Sequence, residues 1–233
     1  MDFRALIYDF IYCRGDLQKY INRRFQSKEQ AVITYKYYDH IVTKAGIKIN
    51  ITQDFNTIED VMGEYQTDDL DRSFISVDVG ANIGGFTMIA SQRCDHVFSV
   101  EPVRVKEIVD NLALNNIRNV TLFDKALGDG SPIDIGWGGT INTVQTVTFS
   151  EIVSQITSMY PDKKRFLKCD CEGGEKFIPI DLLATFDRIE MELHGWEKEV
   201  AARITTGLKA THDVVVDHVG SYGSIGILHA VKK

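Results

Sequence analysis

The pattern of apolar and polar positions changes character near residue 70. Ahead of it, Phe3, Leu6, Ile7, Phe10 and Ile11 recur at helical spacing and predict an amphipathic helix; Leu17, Tyr20, Ile21 and Phe25 predict a second. The stretch "SKEQAVITYKYYDHIVTKAG", residues 27 to 46, supports two readings. Ser27 with Gln30 has capping-box spacing and Gly46 can close a helix, whereas the β-branched and aromatic content suits a strand; helix is the expectation. "IKINI" then reads as a short strand and "TIEDVMGEY" as a short helix capped by Thr57. Residues 1–55 are thus expected to form a mainly helical N-terminal extension, and residues 56–233 a separate domain.

From residue 74 the pattern alternates. Apolar runs at 74–79, 96–100, 119–124, 165–171 and 187–193 predict buried strands, and helical periodicity falls at 84–92, 103–116, 150–159, 173–184 and 196–209. Strands alternating with helices predict an α/β fold with a parallel sheet covered on both faces. "DVVVDHVG" and "SIGILHAVKK", joined by "SYG", instead predict a closing antiparallel hairpin.

The chain has 233 residues, 44% of them hydrophobic, enough for one sizeable core. Its 26 basic and 33 acidic residues give a net charge of −7, which argues against nucleic acid as a partner. The cysteines Cys13, Cys94, Cys169 and Cys171 lack zinc-site pairing; buried thiols in a reducing compartment are expected. "ALIYDFIYC" is broken by Asp9 and no run approaches a membrane span, so a cytoplasmic protein without a signal peptide is expected.

The candidate chemistry lies at strand ends. In "VDVGANIGG" a strand gives way to a helix through Gly80 and Gly84, which allow close backbone approach, and the helix start offers unpaired N–H groups. The spacing is GxxxGG, with Ala81 and Asn82 where a dinucleotide fingerprint needs its second glycine. Asp78, an acid inside an apolar strand, either ties this loop together or stands near the amino group of a cationic ligand. Glu101 ends the next strand, where an acid can accept hydrogen bonds from a ribose diol or simply cap the helix that follows. "RFLKCDCEGGEKFI" crowds Asp170, Glu172 and Glu175 at another strand end. Glu172 and Glu175 also fit the plainer role of acids at a helix N-terminus. In "DRIEMELHGWEKE", Glu192 and His194 share one strand face.

The glycine loop and Glu101 together resemble class I S-adenosylmethionine-dependent methyltransferases, and the ordered set "DVGANIGG", "EP", "LKCDCEGGE" and "ELH" resembles the FkbM-type family. The resemblance covers roughly residues 55–232 and implies a Rossmann-like, seven-stranded, mostly parallel sheet with an antiparallel C-terminal hairpin. It implies S-adenosylmethionine held by Asp78, Gly80, Asn82, Gly84, Glu101 and Asp170, with Asp124, Lys125 and Ala126 facing the adenine. One departure is Ser150, which stands where the family often has an aspartate and reads here as a helix cap.

The activity so implied is O-methylation of a hydroxyl on a small molecule, sugar or glycolipid. His194 is the candidate base, because an unperturbed imidazole titrates near neutrality. Asp170 and Glu192 are candidates to orient the acceptor or serve as base, and Glu172 and Glu175 to contact it. Asp170, Glu192 and His194 also make a plausible O,O,N set for a divalent cation, but no spacing among them is a specific metal motif, so a metal is the minority reading. An NAD(P)-dependent oxidoreductase and a cofactor-binding module without turnover are the alternatives.

Overall fold

The computed structural model describes residues 33–36, 40–43, 46–50, 65–137, 139–217 and 224–233. The helices expected within 3–25 and at 57–65, and the "SYG" loop, lie outside these residues or almost wholly so.

The helix expected over 27–46 is not what the chain forms. β1 (Ile33–Lys36), β2 (His40–Thr43) and β3 (Lys48–Asn50) make a small antiparallel sheet. Here the β-branched and aromatic content outweighs the capping-box spacing, because such side chains lose rotamer freedom in a helix and fit a pleated surface.

The alternating region builds as its periodicity predicts. β4 (Phe74–Val79), α1 (Gly85–Arg93), β5 (His96–Val100), α2 (Val105–Leu114) and β6 (Val120–Phe123) run in succession. After an insertion come α3 (Phe149–Met159), β11 (Lys164–Cys169), the short α4 (Ile180–Leu183), β12 (Arg188–His194), α5 (Lys198–Leu208), β13 (His212–Asp217) and β14 (Ser224–Lys232). Seven strands form one sheet in the order β13-β14-β12-β11-β4-β5-β6. The five from β12 to β6 pair in parallel, and β14 runs antiparallel to both its neighbours. This is the expected mostly parallel sheet with its terminal hairpin.

Alternation of side chains along each strand gives the sheet two covered faces. Ile75, Val77, Val79, Leu167, Cys169, Ile189 and Met191 bury one face against Phe149, Ile152 and Ile156 of α3 and Ile204 and Leu208 of α5. On the other face Phe74, Phe166 and Val97 pack with Phe86 and Ala90 of α1. β3 joins the domain through Ile47 and Ile49, which pack on Ile83, Met88 and Ile89. The Lys48 and Asn50 N–H groups donate to Asn115 and Asn111 side chains, each at 2.8 Å. Among the described residues no helix is long and apolar enough to cross a membrane.

Two local expectations change, and one segment without an expectation takes shape. The cap of α3 is Thr148, not Ser150: Thr148 Oγ1 accepts from the Glu151 N–H at 3.2 Å, and the Glu151 carboxylate accepts from the Thr148 N–H at 2.8 Å. Thr148→Ala is therefore expected to cost about 1 kcal/mol, and Ser150→Ala, at an exposed position, a few tenths at most, in paired urea melts. The helix expected over 173–184 breaks into a 3-10 turn (Gly174–Phe177) and α4, with Pro179 between them. Finally, four short strands fill 126–147: β7 (Ala126–Leu127), β8 (Ile133–Trp137), β9 (Thr140–Val144) and β10 (Thr146–Val147), of which β8 and β9 form a hairpin.

Candidate active site

From β4 the chain steps outward to β5 and β6, then returns to β11 on the other side of β4. That reversal opens a crevice at the carboxyl ends of β4 and β11, where parallel sheets bind ligands. A cavity of about 930 Å³ occupies it. Its walls include Gly80, Asn82, Glu101, Ala126, Asp170, Glu172 and Glu192 from the predicted set. Asp124 and Lys125 are exposed and do not line it.

The loop after β4 is wound through left-handed backbone at Gly80 (φ 76°), Asn82 (φ 51°) and Gly84 (φ 84°). The two glycines serve different ends. A Cβ on Gly80 would lie 1.7 Å from the Asp170 carbonyl oxygen, so the close approach is that of the loop after β11. Gly84 does not line the cavity, and a Cβ there would meet Ile108 in ordinary contact, its side chain at 3.5 Å and its Cα at 3.8 Å.

Asp78 does not reach the cavity wall; it is fully buried behind the loop. Thr87 Oγ1 donates to its Oδ2 at 2.6 Å, and Lys168 Nζ lies 3.3 Å from Oδ1. The same ammonium donates to the Gly80 carbonyl at 2.8 Å, and so ties β11 to the loop. Burial works to lower the Lys168 pKa, but Asp78 and then Asp170 hold it above the usual lysine value. Sequence reasoning passed over Lys168, although a lysine inside a buried strand is itself a signal that an acid lies opposite.

Glu101 Oε1 accepts from the N–H groups of Val103 (2.7 Å) and Arg104 (3.0 Å), and Oε2 from that of Asn82 (2.9 Å). The carboxylate thereby links the end of β5 to the glycine loop, and three of its roughly four acceptor sites are used. Burial pushes its pKa up, opposed by those three N–H groups. Arg104, also not anticipated, donates to Asn82 Oδ1 at 3.0 Å and helps hold the loop.

The second cluster converges on His194, whose side chain is 3% exposed. Its Nε2 lies 3.8 Å from Asp170 Oδ1, 3.3 Å from Glu172 Oε2 and 3.7 Å from Glu192 Oε2, and its Nδ1 lies 3.6 Å from Glu175 Oε1. Burial alone would lower the imidazole pKa. Glu175, then Glu172 and Glu192, reverse this and raise it to about 9. The neutral-pH titration that made His194 the candidate base is therefore shifted upward here. Asp170 and Glu192 line the cavity and His194 does not.

Glu175 does not line the cavity. Its carboxylate accepts from the Cys171 N–H (3.1 Å) and the Gly173 N–H (2.8 Å), which shapes the turn after β11. Burial works to raise its pKa, yet His194 and those N–H groups hold it below the usual range. Cys171 lines the cavity with Sγ 3.7 Å from that of Cys169; this contact and then burial push its thiol well up, so it stays neutral. Trp196, missed in the sequence, packs on His194 with ring centroids 4.6 Å apart and planes tilted by 31°, and forms part of the wall.

No protein-family profile matches the chain, and no curated protein matches it. Solved structures do. Methyltransferase FkbM from Methylobacillus flagellatus KT superposes with TM-score 0.50 at 15% identity, over 72% of this chain and 46% of that one. An rRNA methylase from Streptococcus thermophilus gives 0.47 at 12%, over 70% and 89%. TYW2 from M. jannaschii, in complex with AdoMet, gives 0.46 at 15%, over 85% and 88%. At these identities the likeness is one of fold: the chain has the Rossmann-like fold that methyltransferases share.

Proposed function

We propose that the chain is an S-adenosylmethionine-dependent methyltransferase that methylates a hydroxyl of a small molecule, sugar or glycolipid. The observation that carries this reading is Glu101. Its carboxylate, pinned by three backbone N–H groups, lines the same cavity as the glycine loop and the Asp170–Glu192 pair. Held this way it keeps an acceptor site for a ribose diol one strand away from the loop that meets the methionine end. A cavity of about 930 Å³ is large enough for a nucleoside cofactor and a small acceptor together.

In this reading the cofactor would supply an activated methyl group, its sulfur keeping the S–C electron pair as the acceptor oxygen takes the methyl, and Asp170 or Glu192 would take the hydroxyl proton. The chain's contribution is alignment and proton removal. The choice of acceptor is supported by charge. Asp134, Asp170, Glu172, Glu192 and Glu197 line the cavity against Arg104 and Lys176, and such a wall disfavours a phosphate-rich chain.

The test is calorimetric titration of the protein with S-adenosylmethionine, its demethylated product and NADH. Micromolar binding of the first two is expected, weakened at least tenfold in Glu101→Ala. Binding of NADH alone would turn the assignment to an oxidoreductase. Cofactor binding without turnover of any hydroxyl acceptor would turn it to a binding module.

A further inference from the structure

The fold brings together the O,O,N set that the spacing alone left unsupported. We propose that Asp170, Glu192 and His194 form a divalent-cation site on the cavity wall, with Glu172 as an optional fourth ligand. One ligand atom from each of the three lies within 4.8 Å of the others. His194 Nε2 stands 3.8 Å from Asp170 Oδ1 and 3.7 Å from Glu192 Oε2. With bonds of about 2.1 Å, atoms so spaced subtend roughly 125° at a shared ion, wider than a tetrahedral angle, so the side chains would draw in slightly on binding.

The histidine supplies an independent observation. Its side chain is 3% exposed, its Nε2 is aimed at the carboxylates of Asp170, Glu172 and Glu192, and its Nδ1 has no hydrogen-bond partner among the described residues. Buried His212, by contrast, has both ring nitrogens in hydrogen bonds, to the Phe186 carbonyl and the Thr211 hydroxyl, each at 2.8 Å. His194 instead has Glu175 behind it, 3.6 Å from Nδ1, and Glu175 is itself anchored by the Cys171 and Gly173 N–H groups. A carboxylate behind the far nitrogen of an inward-aimed histidine is the arrangement that orients metal-ligating histidines.

Two carboxylates and one imidazole favour a first-row divalent ion such as Mn²⁺ over Ca²⁺. Asp170 and Glu192 face the cavity, so the ion's remaining positions are open to an acceptor hydroxyl, whose proton affinity it would lower. That role rests on the methyltransferase reading. The site itself does not.

The experiment is titration of the full chain with Mn²⁺, without S-adenosylmethionine, followed by loss of the free-ion EPR signal. One ion per chain is expected. Glu192→Gln, which keeps side-chain volume, should weaken binding at least tenfold. Glu175→Gln, which keeps side-chain volume and an oxygen that can accept from the Cys171 and Gly173 N–H groups but removes the charge behind the histidine, should weaken it about 10- to 100-fold. No binding by the wild-type chain at millimolar Mn²⁺ would overturn the site, as would binding that both variants leave unchanged. Mn²⁺ binding in a chain that ignores S-adenosylmethionine would sustain the site and sink the methyltransferase reading instead.

Discussion

Lys168→Met is expected to destabilise the protein by about 3–5 kcal/mol, the usual effect of removing one partner of a buried ion pair. Lys168 is 1% exposed and Asp78 is fully buried. Without the ammonium, the Asp78 carboxylate keeps the Thr87 hydroxyl as its one hydrogen-bond donor among the described residues, and the Gly80 carbonyl loses its donor. For a chain of this size the melting temperature should fall by roughly 6–20 °C. In urea the midpoint should drop while the slope holds, because the surface exposed on unfolding is unchanged. Lys168→Met combined with Asp78→Leu should recover more than half of the loss, since no unpaired charge then remains. A single variant within 1 kcal/mol of wild type would mean that the pair does not hold the loop.

The second large effect separates the two glycines of one motif. Gly80→Ala places a methyl group 1.7 Å from the Asp170 carbonyl oxygen and 2.7 Å from its carbon. Both are backbone atoms, so the loops after β4 and β11 must part, and Asn82 and Asp170 move with them. Displacements of about 1 Å at a reacting centre can cost 100-fold, and a loss of that order in S-adenosylmethionine affinity and turnover is expected. Gly84→Ala meets Ile108 in ordinary contact, at 3.5 Å or more, and bears the strain of φ 84°, roughly 1–2 kcal/mol. It should therefore melt lower yet bind the cofactor within a few-fold of wild type. Equal affinity losses in the two variants would contradict the assignment of distinct roles.

Much of the site was legible as residue types at strand ends. Gly80, Glu101, Asp170 and Glu192 were expected at the carboxyl edge of the sheet, and the cavity lies there. The partners were less legible. Asp78 was open between a loop tie and a ligand contact; the tie proves to be the Lys168 side chain rather than backbone N–H groups. His194 was chosen for a neutral-pH titration that Glu175, Glu172 and Glu192 shift upward. Trp196 and Arg104 carry no motif signal; only their placement makes them part of the site.

Local periodicity by itself determined the type and order of the central elements, because a buried strand and an amphipathic helix each need a run of side chains at one repeat. It did so even for the closing hairpin. Where local signals compete, as at residues 33–43, or where a short acid-rich turn imitates a helix start, as at 172–177, periodicity has no way to choose. Only the tertiary structure decided the register between strands. That register sets Ser99 beside Asp78, Asp78 beside Lys168, Lys168 beside Glu190 and Glu190 beside His229, a buried polar row across five strands. A charge can be buried only where its partner is, and Lys168 meets Gly80 across 88 residues of sequence. No local pattern encodes that meeting; the packing of the sheet does.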